Sequence, residues 1–119
     1  MSEYTDSLRD VFELFGPIIA RRMFGGHGIY HDGLMFALVA DETLYLKVDE
    51  YNLGDFERAG LEPFGYDKGG RVVQMSYYQA PEELYEDREL AAVWARGSFE
   101  AALRAQASKR KKASRGPVC

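Results

Sequence analysis

The sequence predicts an α+β fold in which helices pack on a mainly antiparallel sheet. Three observations carry that prediction. Apolar residues near the start recur at helical spacing, short β-rich segments separated by tight-turn sequences follow, and a proline-led acidic start opens a longer helical stretch late in the chain. The predicted order is α-β-β-β-β-α-β-β-α-α, with 1–107 as the folded domain and 108–119 as a basic, disordered tail.

The first helix spans Thr5 to Phe15, because Leu8, Val11, Phe12 and Phe15 fall at i, i+3, i+4 and i+7 among charged residues. Thr5 or Ser7 caps it, and Gly16-Pro17 ends it. Four short strands follow: Ile18 to Phe24, His27 to His31, Leu34 to Ala40 and Thr43 to Val48. His31-Asp32-Gly33 and Ala40-Asp41-Glu42-Thr43 are tight-turn sequences, the first with the Asp-Gly pair that suits a type I′ hairpin. The apolar run Leu34 to Ala40 suits a central strand covered on both faces. Leu44, Leu46 and Val48 alternate with Tyr45 and Lys47, as in a half-exposed strand.

A second helix is expected from Asp49 to about Ala59, capped by Asp49 or Asn52 and closed by Gly60. Phe64 to Asp67 and Arg71 to Tyr78 then read as a hairpin around Lys68-Gly69-Gly70. Pro81 sits at the first position of a helix with Glu82 and Glu83 in its first turn, and a longer helix runs from Asp87 to about Ala107. Within it Leu90, Val93, Trp94, Gly97 and Ala101, with Leu103 and Ala105, mark the apolar side, and Gly97-Ser98 interrupts it as a close approach or a kink.

At 119 residues the chain holds one domain's core, and its 46% hydrophobic content with 8 Tyr, 7 Phe and 1 Trp is that of a folding sequence. Charge is divided unevenly. Residues 1–104 carry ten of the fifteen Lys and Arg and all nineteen Asp and Glu, a net of −9, whereas Lys109, Arg110, Lys111, Lys112 and Arg115 make the tail +5. An acidic body repels polyphosphate, so nucleic-acid affinity is expected from the tail, where KRKK also suits a solvated end, or from a local basic patch, Arg21 and Arg22 being the only adjacent basic pair in the body. The one cysteine, Cys119, forms no intramolecular disulfide and no cysteine-based metal cluster, which fits a reducing cytoplasm. Neither a signal peptide nor a membrane span is visible.

Gly25-Gly26-His27-Gly28 has neither the Lys-Ser/Thr nor the spacing of a phosphate loop, and strand rather than helix follows it. Gly25, Gly26 and Gly28 therefore read as structural, a bend or bulge between strands. His27 and His31 lie about 13 Å apart along a regular strand, too far to share one metal ion. Ser76 lacks a nucleophile elbow, so no catalytic constellation and no cofactor are expected. Arg21, Arg22, His27 and Tyr30 are the candidate interaction residues. The strand aromatics resemble a base-stacking platform, but core packing and cross-strand pairing are the simpler use, since the β segments hold only Arg21, Arg22, Lys47 and Arg71 as cations.

Taken together, Arg21 to Tyr30, the words DGLMFALVAD, LYLKVDE, EPFGY and MSYYQAPEEL, and the late WAR resemble the N-terminal domain of the TfoX/Sxy family from about Leu8 to Leu103. The resemblance implies an α+β domain, no catalytic residues, and a part in natural competence alongside the cyclic-AMP receptor protein. Full-length members add a helical second domain, where this sequence has a short basic tail. The function expected is a non-enzymatic, cytoplasmic module that binds a protein partner, such as a transcription regulator. The alternatives are a small-molecule or enzymatic site around Arg21, Arg22 and His27, and nucleic-acid binding through the tail.

Overall fold

The computed structural model describes the backbone of residues 3–23, 26–68 and 71–115, and within these the side chains of all but 3, 66–68, 71–75 and 110–115. Its elements are α1 (Glu3–Val11), β1 (Ile19–Met23), β2 (Gly26–His31), β3 (Leu34–Ala40), β4 (Thr43–Lys47), α2 (Leu53–Arg58), β5 (Pro63–Lys68), β6 (Arg71–Gln79), a 3₁₀ turn (Glu82–Glu86) and α3 (Arg88–Arg115). The strands form one antiparallel six-stranded sheet in the order β1-β2-β3-β4-β6-β5. The predicted α+β class and element order hold.

Strand alternation sorts the sheet's side chains onto two faces. Leu8, Val11 and Phe12 of the α1 segment, Phe56 of α2, Leu84, and Ala91 and Ala95 of α3 cluster with Ile29, Ala37, Val39, Leu44, Leu46 and Val48. These strand residues share one face by register, so the helices cover that face. Leu38 and Tyr77 point the other way and stand outside this core. As expected, the middle of β3 is buried on both faces, Ala37 and Val39 on one and Leu38, at 6% exposure, on the other; among the described residues the helices lie on the Ala37 and Val39 side only. A register shift between Ile29 and Tyr30 gives β3 an extra residue, Phe36, which turns into the core against Phe12 and Phe15 at 5.6 and 5.1 Å.

Local chemistry explains the ends that moved. Helix α1 stops at Val11 rather than Phe15, because Glu13 and Phe15 bond back only three residues, to Asp10 and Phe12, freeing the Phe15 ring for Phe36 and Phe99. Thr5 and Ser7 lie inside α1 rather than capping it, and the Ser7 hydroxyl donates to the Tyr4 carbonyl. Helix α2 begins at Leu53 because Asn52 does not cap: its amide accepts from the Asp49 N–H at 2.7 Å and donates to the Lys47 carbonyl at 3.1 Å. Pro81 precedes a 3₁₀ turn instead of opening an α-helix. Asp32 (φ 49°) and Gly33 (φ 79°) form the expected left-handed pair, and Asp41 (φ 50°) and Glu42 (φ 54°) repeat it without a glycine.

Helix α3 differs most from expectation. It presents small residues to the core, Ala91, Ala95, Ser98 and Ala102, while Val93 and Leu103 are exposed. Alanines let the helix lie close on β3 and β4, which larger side chains would prevent. It passes Gly97 without a break, and a Cβ there would meet nothing within 4 Å, so Gly97 marks neither a kink nor a close approach. The helix also continues beyond Ala107 to Arg115, because Ala, Lys and Arg propagate a helix already nucleated by packing. Residues 108–115 of the expected tail lie on this helix, and 116–119 are outside the described residues.

Candidate interaction face

The Gly-Gly-His-Gly stretch sits where β1 turns into β2. Gly25 is outside the described residues, but the flanking strands are antiparallel and pair Met23 with Gly26, Arg22 with His27 and Arg21 with Gly28. A Cβ on Gly26 would overlap the backbone carbonyl oxygen of Val39, so glycine is required for β2 to approach β3 there. A Cβ on Gly28 would lie 2.9 Å from Met23 Sδ, 3.0 Å from Met35 Sδ and 3.0 Å from Tyr30 Cε1. Gly28 is thus the floor of a cluster of long side chains.

The same register separates the four candidate residues. Residues directly opposite in an antiparallel pair share a face, so Arg21 and Tyr30 stand on the open face with Ile19 and Met23. Arg22 and His27 stand on the helix-covered face in line with Val39 and Leu44. A single pocket lined by Arg21, Arg22, His27 and Tyr30 is therefore not formed. His31 is absorbed structurally: its Nδ1 donates to the Pro17 carbonyl at 2.7 Å, and its ring packs on Phe15 and Phe99 at 4.5 and 4.9 Å.

On the open face the structure assembles what sequence reasoning left apart. The Arg21 guanidinium lies 5.3 Å from the Tyr30 ring centre, and the Lys47 ammonium 5.1 Å from that of Tyr77. Tyr45 meets Phe64 edge-on at 4.7 Å. Burial, with a smaller contribution from Tyr30, pushes the Tyr77 hydroxyl up to about 12. Burial holds the Lys47 ammonium below its ordinary pKa, Asp49 opposing and Lys109 adding to the shift. Lys47, Met35 and Tyr77 were legible as strand residues, and the alternation of Tyr45 and Lys47 against Leu44 and Leu46, like that of Tyr77 against Ser76 and Tyr78, signalled their faces.

At the Lys47 end of the sheet, Asp49 ties the β4–α2 connection to α3. Arg104 donates to both carboxylate oxygens, at 2.6 and 3.0 Å, and stacks 4.5 Å from the Tyr51 ring centre. The hydrogen bonds from Arg104 hold the Asp49 carboxyl below the usual carboxylate range despite partial burial. Among the described residues no group of three or more His, Cys, Asp or Glu side chains is placed to hold a metal ion, and no helix is long and apolar enough to cross a membrane.

The family model of the TfoX N-terminal domain matches residues 10–102. The chain belongs to this family. It is 30% identical over 88 residues to DNA transformation protein TfoX1 of Aliivibrio fischeri, covering 74% of this chain and 42% of that protein. It is 29% identical over 94 residues to protein Sxy of Escherichia coli K12, covering 79% of this chain and 45% of that protein. The chain thus spans less than half the length of these curated relatives. The matched region runs from the end of α1 into α3, taking in the whole sheet and therefore both faces of the glycine-rich hairpin.

Proposed function

We infer that this TfoX N-terminal-like domain is a non-enzymatic regulatory module that acts in the cytoplasm by binding a protein partner, within a competence-type transcriptional response. The observation that carries this reading is a sheet face that none of the described helices covers, in a family whose named relative is a DNA transformation protein. Rigid strands hold that face's apolar and cationic side chains in fixed positions, as recognition requires. The test is deletion of the gene in its native cell with transcript profiling and a transformation assay, followed by complementation. A changed transcript set, restored by the wild-type chain and not by Arg21→Glu, is expected. An unchanged profile would reject the regulatory reading.

A second reading is nucleic-acid contact through Lys109, Arg110, Lys111, Lys112 and Arg115. It is favoured by the continuity of α3 to Arg115, which strings these cations along one helix. Binding of this kind falls steeply with salt and disappears when 108–119 are deleted. Salt-insensitive binding by the truncated chain would exclude it.

A further inference from the structure

Charge is segregated by secondary structure in this domain. Among the described strand side chains the cations are Arg21, Arg22 and Lys47, and none is a carboxylate. Every carboxylate whose side chain is described belongs to a helix, turn or loop, although residues 1–104 carry a net charge of −9. Among the described residues the strand positions of the open face therefore carry cations and no carboxylate on an acidic protein, with Asp41 and Glu62 at its rim beside Tyr45 and Asp49 beside Lys47. Arg21 on β1 and Lys47 on β4 are three strand positions apart, about 14 Å across the sheet at the usual spacing, and offset by two residues along it. Tyr30 on β2 and Met35 on β3 lie between them, and Met23 beside Arg21 on β1 joins these two over Gly28.

We propose that this face docks an acidic, aliphatic segment of a protein partner, its apolar side chains on the Met23, Met35 and Tyr30 floor and its carboxylates at Arg21 and Lys47. The proposal rests on the partner-binding reading above and names the surface and the partner's chemistry. Methionines adapt to varied aliphatic shapes, so the floor supplies contact area while the two cations set sign and orientation. Charge complementarity selects an acidic occupant. A second copy applied through the same face would bring Arg21 and Lys47 toward their equivalents. Single-stranded nucleic acid would need free ring faces, whereas Arg21 lies over Tyr30, Lys47 lies over Tyr77, and Tyr77 is only 7% exposed.

The test uses the purified full chain, immobilised and presented with a random peptide library on phage. Enriched peptides are then titrated in solution against the ¹⁵N-labelled protein, beside a 15-nucleotide oligothymidylate, and sedimentation of the chain alone reports self-association. The expected result is enrichment of peptides combining Asp or Glu with Leu, Ile or Val. Their amide shifts should centre on Ile19, Arg21, Met23, Tyr30 and Met35, and their Kd should rise with salt. Arg21→Glu and Lys47→Glu should each weaken them about tenfold at unchanged circular dichroism. Arg21 is exposed, so that variant decides the matter if Lys47→Glu fails to fold. Peptides without acidic bias, shifts confined to the helical side, tighter oligothymidylate binding on this face, or self-association through it would each overturn the proposal. Binders seated elsewhere would sink this surface yet leave the partner reading standing, whereas an unchanged transcript profile would sink that reading whatever the peptides do.

Discussion

Replacing Gly26 by alanine tests whether the glycine-rich hairpin is architectural. The added Cβ would fall on the Val39 carbonyl oxygen, far inside the ~3.5 Å of an optimal non-bonded contact. That oxygen belongs to the β3 backbone, which is held on one side by Gly26 and His27 and on the other by Thr43 and Leu44, so it has no rotamer through which to retreat. Overpacking of this kind costs about 1–3 kcal/mol, and we expect about 2 kcal/mol for Gly26→Ala. For a domain of this size that lowers Tm by roughly 8 °C. At Gly28 the obstructing atoms are the ends of Met23, Met35 and Tyr30, which can swing away, so Gly28→Ala should cost about 1 kcal/mol or less. Gly97→Ala meets nothing within 4 Å and lies inside α3, so it should stabilise by about 0.5–1 kcal/mol. Urea unfolding followed by circular dichroism and Trp94 fluorescence measures all three. A Gly26→Ala variant as stable as the wild type, or a Gly97→Ala variant as damaged as Gly26→Ala, would refute the reasoning.

Three further outcomes follow from particular contacts. Glu42 adopts φ 54° in the β3–β4 turn, so Glu42→Gly should relieve the left-handed penalty and raise stability by about 1 kcal/mol in thermal unfolding; a loss of that size would contradict the turn geometry. The buried Ser98 hydroxyl has no hydrogen-bond partner among the described residues, so Ser98→Ala should stabilise by about 1 kcal/mol, and destabilisation would mean that the hydroxyl is satisfied. Arg104 depresses the Asp49 pKa in the folded state, so the pair's contribution is complete above the unfolded carboxylate value of about 3.9 and fades as pH falls through the lower folded value. Asp49→Asn should accordingly be less stable than wild type at pH 7 by about 1 kcal/mol, the pair being partly exposed, with the gap closing in acid. A gap that persists at pH 2 would assign the loss to packing instead.

Much of the domain was legible one residue at a time. Turn chemistry at Asp32-Gly33, the proline before the 3₁₀ turn and the period-two pattern of β4 each act through a few neighbouring residues, so they placed the elements in order. Boundaries were less legible where distant groups compete for a residue: Phe15 leaves α1 for Phe36 and Phe99, and Asn52 serves Lys47 and Asp49 rather than capping α2. In α3 the large apolar residues drew attention to Val93 and Leu103, yet alanines face the sheet, because close packing rewards small size as well as hydrophobicity.

For function the division is sharper. The sequence alone determined the class, the family resemblance, the acidic body and the glycines of the β1–β2 hairpin, all of which depend on composition or local spacing. Which face each candidate occupies emerges only from the pairing of the strands. Arg21 and Arg22 are adjacent in the chain but leave opposite sides of the sheet, whereas Arg21 and Lys47 are distant in sequence and share one face. Alternation separates neighbours and register unites strangers, and register is set by pairing between strands, which depends on closing the whole sheet over its core.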